Sequence, residues 1–231
     1  MKRVLALLLC LSVLLGACGR GADPAGVEAP AGTVIDGSGT VLQVPEDRDS
    51  ATIASAYAVA VPFIVALDLT DRVLAINVKS NFWTDTDEYL AAAGSVGRGI
   101  VDLEALAAYA PDVLIHRSND KPTVDAVQGK LAMEVMCIRA EDFADIIDTL
   151  TMMGDYFGKE QRAAEVIAWM EGKFDLIDGI VAQIPQNERP TALVLGGDHG
   201  VVAGGDMLQS WMIEKAGGVC VAADVTNNRN W

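Results

Sequence analysis

The chain has 231 residues, of which 51% are apolar and 21% charged, and its formal net charge is −15. Such an apolar share excludes a disordered chain, and the length allows one large domain or two small lobes with a substantial core. The acidic balance, without a basic patch, excludes nucleic acid as a partner because it repels phosphate backbones.

Residues 1–17 predict a signal peptide for export. A basic start precedes an apolar run from Val4 to Leu15, which is too short to span a bilayer. The sequence LGAC that ends at Cys18 resembles the bacterial lipobox, whose cysteine is acylated and becomes the first mature residue. We therefore expect Cys18 to carry the lipid anchor, with palmitate among its acyl chains. The protein is then extracytoplasmic and held at the cell membrane.

Residues 18–32 are rich in Gly, Ala and Pro and have no apolar period, which predicts a flexible tether. Beyond the tether, the remaining cysteines are Cys137 and Cys220. A disulfide between them is allowed outside the cytoplasm, but buried thiols far apart are the favoured interpretation.

Residues 33–140 predict a small hairpin followed by an α/β lobe. In TVIDGSGTVLQVP, two short strands flank a DGSG turn. Short apolar runs then alternate with helical stretches, which indicates a sheet of mostly parallel strands. These segments are ATIAS (51–55), AVAVPFIVALDL (58–69), VLAIN (73–77), LEALAAYA (103–110), VLIH (113–116) and EVMCI (134–138).

Residues 141–189 predict helices that bridge this lobe to a second one. FADIIDTLTMMGDYF has one apolar face and is followed by a break at Gly158. The next helix has a heptad-like apolar stripe that ends at Pro185. A coiled-coil partner is the alternative, but packing of one stiff helix within the molecule is favoured. The stripe comprises Ala163, Ile167, Met170, Phe174, Ile177, Val181 and Ile184.

Residues 190–231 predict the start of a second α/β lobe. The strand-and-helix pattern restarts with TALVLGG (191–197) and DMLQSWMIEKAGG (206–218). The expected fold class is therefore α/β, with two lobes of parallel-rich sheet joined by one long rigid helix and with the second lobe incomplete.

Four phrases, in this order, resemble the substrate-binding lipoproteins of ABC importers for iron–siderophore complexes, haem and cobalamin. The resemblance runs from about Thr33 to Trp231. It implies a monomer with its ligand in the cleft between the lobes, which captures a ferric chelate and delivers it to an ABC permease. Haem or cobalamin is the alternative ligand, no cofactor is expected, and compared with the family the chain is C-terminally truncated. The phrases are GTVLQVPEDRDSATIAS, GRGIVDLEALAAYAPDVLI, MGDYFGKEQRAAEVI and VVAGGDMLQSWMIEKAGGVCVAADV.

Cleft residues are expected in loops that follow strands, because ligands bind outside the carboxyl ends of parallel strands. Trp83 offers an aromatic face and Tyr57 a phenol, with packing as the alternative for each. Arg98 and Arg117 can pair with an anionic ferric siderophore, or can form surface salt bridges instead. The predicted ligand-binding residues are Ser55, Tyr57, Trp83, Arg98, Arg117 and His199.

The two histidines, His116 and His199, each follow or end a predicted strand, one in each lobe. Axial ligation of haem iron or corrin cobalt is one interpretation, but a hydrogen-bonded structural role is favoured. A dedicated Zn²⁺ or Mn²⁺ site is disfavoured because it would need a closer cluster of histidines and carboxylates.

Glu104 has two interpretations. Asp102 is placed as a helix N-cap, so Glu104 is a first-turn acid that complements the helix dipole. The resemblance implies a further role, because in the family an acid at this place lies on top of the first lobe and pairs with permease arginines. We therefore predict that Glu104 is a permease docking residue.

An enzyme is not expected. The sequence has no Gly-x-Ser-x-Gly elbow, no phosphate loop, no His-Glu-x-x-His and no Cys-x-x-Cys. A membrane-tethered α/β enzyme is the less favoured alternative, and a degenerate lipoprotein without a ligand is the third.

Overall fold

The computed structural model describes residues 29–77, 81–97, 100–196 and 201–226. The strands of this part of the chain are β1 (Thr33–Ile35), β2 (Val41–Gln43), β3 (Ile53–Ser55), β4 (Val73–Ile76), β5 (Gly94–Ser95), β6 (Val113–Arg117), β7 (Glu134–Ile138), β8 (Thr191–Ala192) and β9 (Val219–Cys220). Its helices are α1 (Val61–Ala66), α2 (Asn81–Thr84), α3 (Glu88–Ala92), α4 (Leu103–Tyr109), α5 (Lys121–Leu131), α6 (Phe143–Phe157), α7 (Glu160–Val181) and α8 (Leu208–Lys215).

A five-stranded sheet in the order β5-β4-β3-β6-β7 forms the centre of the first part of the chain. Every neighbouring pair in it is parallel. The chain lays β3, β4 and β5 outward on one side and then returns to add β6 and β7 on the other. The strand order therefore reverses between β3 and β6, a switch point of the kind at which open α/β sheets bind ligands. The predicted α/β class with a parallel-rich sheet is confirmed.

Apolar side chains cover both faces of this sheet. On β6, Val113 and Ile115 belong to one core, which also contains side chains of the hairpin, α1 and α6. Leu114 belongs to the other core, with Leu106 of α4 and Val127 of α5. This alternation follows from the two-residue period of a strand. All five side chains are fully buried, and each such burial stabilises the fold by about 1.5–3 kcal/mol.

The predicted hairpin is formed by β1 and β2, which pair antiparallel. Its turn contains the buried Asp36, whose Oδ1 accepts hydrogen bonds from the Ser38 and Thr40 amides at 2.9 Å each. The other oxygen, Oδ2, accepts from the Cys137 amide at 2.8 Å, and the Gly37 amide donates to the Cys137 carbonyl at 2.7 Å. The turn thereby satisfies part of the exposed edge of β7.

Helix α6 has the bounds of the apolar segment identified in the sequence. It ends at Gly158, whose φ of +69° is favourable only for a residue without a side chain. Helix α7 then runs for 22 residues, a length of about 33 Å. In its predicted stripe Ala163 is buried, and Ile167 and Met170 pack against the first core, so this part of the stripe packs within the molecule.

A second, smaller α/β unit follows α7. Strands β8 and β9 pair parallel, and α8 lies between them in the chain. The strand expected over 191–197 is shorter than predicted, since β8 ends at Ala192. Beyond it, the Gly196 amide donates to the Val201 carbonyl and the Ala203 amide to the Val194 carbonyl, so residues 194–196 and 201–203 pair antiparallel.

Cys137 and Cys220 are both buried and free, as predicted. Within the described residues, no helix combines the length and the apolar character that a membrane crossing requires. The division into lobes at 33–140 and 190–231, with bridging helices between them, stays a prediction, and residues 1–28 lie outside the described part.

Candidate functional site

The carboxyl ends of β3 and β6 lie side by side at the switch point of the sheet. Ser55, the last residue of β3, is fully buried, and its hydroxyl donates to the Tyr57 carbonyl at 3.0 Å. Ser55 therefore shapes the turn that carries Tyr57. A direct contact between Ser55 and a ligand stays a prediction.

Tyr57 is half-buried and packs against the first core. Burial raises the pKa of its phenol, the Glu141 carboxylate raises the pKa further, and the Arg117 guanidinium opposes that rise. The ends of β3, β6 and β7 are neighbours in the sheet, so Tyr57, Arg117 and Glu141 follow or end adjacent strands at one edge. The phenol stays protonated at neutral pH and can donate a hydrogen bond there.

Arg117 is held in place by Asp120. Its Nη2 donates to Asp120 Oδ2 at 3.0 Å, while half of the arginine side chain stays exposed. Although partial burial by itself raises the pKa of Asp120, hydrogen bonds from His116, Arg117 and Thr123 bring that pKa down to about 2. Asp120 engages one edge of the guanidinium, so further N–H donors remain for an anionic oxygen.

His116, next to Arg117 on β6, is only 5% exposed. It lies on the same sheet face as Leu114, and its Nε2 contacts Asp120 Oδ2 at 3.1 Å. Burial lowers the pKa of His116, and the hydrogen bond with Asp120 only partly offsets that effect. Nδ1 is buried without a hydrogen-bond partner among the described residues. This geometry supports the structural role favoured for His116 from the sequence.

Trp83 lies in the short helix α2 rather than in the loop that the sequence indicated. Its side chain is half-buried and packs against the first core, with the ring of Phe82 at 5.2 Å in an edge-to-face arrangement. Phe82 is 71% exposed and offers the more accessible aromatic face at this edge. The sequence places Phe82 and Trp83 next to each other, but it contains no signal that tells which ring is the more exposed.

A polar groove of about 600 Å³ continues the site along β7. It runs between the hairpin turn, the start of α5 and the end of β7. Cleft residues were expected after strands, and the same rule applies to the residues after β7, which the predicted ligand-binding residues did not include. Polar side chains that line the groove include Ser38, Thr40, Ser118, Asn119, Arg139 and Glu141.

The second unit attaches beside this edge of the sheet. The Leu208 amide at the start of α8 donates to the Glu141 carbonyl at 2.8 Å. Phe143 of α6 stacks on Trp211 of α8 with ring centroids 4.8 Å apart, and Phe174 of α7 meets both rings edge-on. The converging polar groups therefore lie next to the junction of the two α/β units.

Three of the predicted residues, Cys18, Arg98 and His199, lie outside the described residues. Within the described ranges, no group of three or more His, Cys, Asp or Glu side chains is placed to hold a metal ion.

Glu104 lies in the first turn of α4, and its side chain is exposed. Asp102 is the N-cap, as predicted, since its Oδ1 accepts from the Glu104 and Ala105 amides at 3.0 Å each. Because α4 follows β5, its first turn lies at the carboxyl edge of the sheet, the edge that carries Tyr57 and Arg117. Among the described side chains, none forms an ion pair with Glu104.

A sequence profile of the family described as "Periplasmic binding protein" matches residues 53–230. No curated protein sequence matches the chain.

Solved structures with a similar fold are longer than this chain. One is a periplasmic solute binding protein from Veillonella parvula, at 21% identity and a TM-score of 0.64, covering 84% of this chain and 61% of that one. Another is a molybdate periplasmic binding protein of Haemophilus influenzae, bound to molybdate. It has 16% identity and a TM-score of 0.70, and the match covers 84% of this chain and 67% of that one. A third is a periplasmic heme binding protein from Pseudomonas aeruginosa. It has 23% identity and a TM-score of 0.63, and the match covers 74% of this chain and 62% of that one. Identities of this size establish the fold alone, and the chain spans less than two thirds of the Veillonella and Pseudomonas structures.

Proposed function

The chain belongs to the periplasmic binding protein family, and we propose that it is a lipid-anchored, extracytoplasmic solute-binding protein of an ABC importer. In this proposal it captures an iron complex of the siderophore type and delivers it to the permease. Cys18 carries the lipid, and the protein binds its ligand without chemical conversion.

The observation that carries the proposal is the adjacency of the carboxyl ends of β3, β6 and β7, which brings the segments bearing Tyr57, Arg117 and Glu141 to one edge of the sheet beside a polar groove. A phenol that donates a hydrogen bond and a guanidinium with unused donors suit the anionic oxygens of a ferric chelate. The exposed ring of Phe82 lies at the same edge and adds an aromatic surface for a catechol or a macrocycle.

Haem or cobalamin is the alternative ligand. The exposed ring of Phe82 favours a large planar ligand as readily as a catechol, and the Pseudomonas structure is that of a heme binding protein. His116 is a poor axial ligand in this arrangement because it is 5% exposed and bonded to Asp120.

Arg98 and His199 remain proposed ligand contacts, together with Ser55 and Trp83.

A titration of the purified protein tests the ligand class. The four probes are a ferric hydroxamate, a ferric catecholate, haem and cobalamin. We expect at least one of them to quench tryptophan fluorescence at a micromolar concentration or below. Loss of one charge-assisted contact in Arg117→Gln should weaken binding of an anionic complex about tenfold, which corresponds to about 1.4 kcal/mol.

Lys130→Gln is the matched control, because it removes one positive charge from the exposed end of α5, away from the strand ends. Equal affinities of the two variants, or no binding of any of the four probes, would contradict the proposed ligand class.

Docking to the permease is proposed to depend on Glu104, whose carboxylate is exposed on a rigid helix end. Glu104→Arg should abolish uptake and leave ligand affinity unchanged, because it reverses the charge offered to permease arginines. The control is Glu171→Arg, the same charge change at an exposed position of α7. A loss of ligand affinity in Glu104→Arg would assign this residue to the cleft instead.

A further inference from the structure

The hairpin turn forms one wall of the polar groove beside β7. The buried Asp36 holds this turn against the strand, because its Oδ2 accepts from the Cys137 amide at 2.8 Å. A Cβ at Gly37 would meet the Cys137 carbonyl oxygen and the Arg139 amide nitrogen at 3.0 Å each, so the turn packs directly on the end of β7. The groove of about 600 Å³ is therefore bounded here by a turn that cannot shift without breaking these contacts.

The backbone from Arg139 to Glu141 forms the next part of the wall and is held at three points. The Arg139 carbonyl accepts from the Thr149 hydroxyl at 2.7 Å. The Glu141 amide donates to Asp145 Oδ2 at 3.2 Å, and the Glu141 carbonyl accepts from the Leu208 amide at 2.8 Å. The side chains of Arg139 and Glu141, which both line the groove, are therefore carried by backbone that is anchored to α6 and α8.

Asp145 adds a second carboxylate at this end of the groove. Its Oδ1 lies 3.3 Å from Nε of Arg139, and its side chain is largely buried. Burial raises the pKa of Glu141, the Arg139 guanidinium opposes that rise, and Asp145 and Asp142 add to it. One guanidinium thus lies among several carboxylates and can balance only one of them, which leaves an excess of negative charge at this end.

The opposite end of the groove does not compensate for this excess. Nζ of Lys121 lies 2.7 Å from Oδ1 of Asp125 at the start of α5, so these two charges balance each other. Among the described residues, the groove therefore combines two cations with three carboxylates. The cations are Lys121 and Arg139, and the carboxylates are Asp125, Glu141 and the Asp145 that bonds Arg139.

Uncharged polar groups complete the lining. The hydroxyls of Thr40 and Ser118 and the side-chain amide of Asn119 can each accept a hydrogen bond. Acceptors around a carboxylate suit an ammonium group, which donates three hydrogen bonds and accepts none. An anionic group at the same place would be repelled by Glu141 and Asp145, and this repulsion is stronger in a partly buried groove than in water.

We propose that the groove binds a cationic ammonium arm of the ferric chelate and that Glu141 is the carboxylate that pairs with it. The inference rests on the proposed function and narrows the ligand class, since the iron-bound oxygens meet Arg117 while an arm that ends in an amine enters the groove. The neighbouring strands β6 and β7 are about 4.8 Å apart, so a short arm reaches from one site to the other. Glu141 then determines specificity through the charge of the arm.

Three ferric complexes of one linear tris-hydroxamate test the inference, because they share the iron centre and differ only at the end of the arm. The arm ends in a free amine, an acetylated amine or a succinylated amine, and is therefore cationic, uncharged or anionic. We expect the purified protein to bind the cationic complex about tenfold more tightly than the uncharged one and about a hundredfold more tightly than the anionic one. Quenching of tryptophan fluorescence measures the three affinities.

Glu141→Gln provides the second measurement, because glutamine keeps the shape of the side chain and removes its charge. The tenfold preference for the cationic over the uncharged complex should disappear, while the affinity for the uncharged complex stays within about twofold of the wild type. That unchanged affinity also shows that the variant is folded. The matched control is Glu171→Gln, the same change at an exposed position of α7, which should keep the preference.

The outcomes separate this inference from the proposed function. Equal wild-type affinities for the three complexes, or an unchanged preference in Glu141→Gln, would overturn the inference and leave the protein a binder of ferric chelates. Binding of a ferric catecholate but of none of the three hydroxamates would have the same meaning. If only haem or cobalamin binds, or no complex binds at all, the proposed ligand class and the inference both fail.

Discussion

Asp120 is the residue that fixes the charged groups at the switch point. One of its oxygens meets both Arg117 and His116, and the other accepts from the Thr123 amide at 3.3 Å. The carboxylate therefore caps α5 and orients the guanidinium proposed to bind the ligand. Its ionisation links the geometry of the site to the stability of the fold.

The stability of the protein should depend on Asp120 in acid. The pKa of its carboxyl is about 2 in the folded protein, against an ordinary value of 3.8. Because the unfolded chain binds the proton more tightly, the stabilisation is present above pH 3.8 and is lost as the pH falls towards 2. Asp120→Asn, which retains a capping side chain, should lower the free energy of unfolding at pH 6 and converge with the wild type near pH 2.

Urea titrations across this pH range provide the measurement. Asp71→Asn is the control, because Asp71 is exposed and has no side-chain partner among the described residues. A difference between Asp120→Asn and wild type that does not change with pH would show that the charge is not responsible.

Sequence reasoning at single positions succeeded where one residue determines its own surroundings. Asp102 was predicted as an N-cap because an aspartate directly precedes the helical pattern, and the structure confirms it. The loop predicted at Trp83 was wrong, because the four residues of α2 are too few to show a helical period in the sequence. The proximity of Glu141 to Tyr57 depends on packing between distant segments, which no local pattern encodes.

Gly97, which follows β5, has a φ of +110°, a backbone conformation that favours glycine. Gly97→Ala should lower the free energy of unfolding by about 2 kcal/mol, because alanine is strained at positive φ and its Cβ would collide with the Ile100 carbonyl. Urea denaturation measures the loss.

Gly172→Ala is the control for a glycine that no contact requires. A Cβ at Gly172 meets open space on α7, so the higher helix propensity of alanine should raise the free energy of unfolding by about 0.5–1 kcal/mol. Wild-type stability in Gly97→Ala would contradict the steric conflict assigned to a side chain at this position.

Elements with a strong apolar period were predicted closely. Helix α6 and strand β7 have the bounds of their apolar segments, because a glycine ends the first and a continuous buried run defines the second. The strand expected over 191–197 was too long, since residues 194–196 pair antiparallel with 201–203 instead of extending β8, a pairing that the apolar pattern does not encode. The parallel pairing itself was predictable, as strands that alternate with helices have few other solutions.

The molecule combines a formal net charge of −15 with a parallel sheet whose strand order reverses at a switch point, where the ligand site is proposed. The alternation of strands and helices predicted the α/β class, and the ordered phrases predicted the family. The ligand could not be predicted in the same way, because one scaffold binds different molecules through side chains that vary from protein to protein. The Leu208 amide at the start of α8 bonds to the Glu141 carbonyl at this edge of the sheet, beside the side chains proposed to bind the ligand.

A native mass spectrum of the protein extracted from its own membranes in mild detergent tests the central claim most directly. We expect a mass that includes acyl chains on Cys18 and a non-covalent adduct with the isotope pattern of an iron complex. A corrinoid adduct would support the alternative ligand. A protein that carries neither a lipid nor any metal complex would contradict the assignment as an importer's binding lipoprotein.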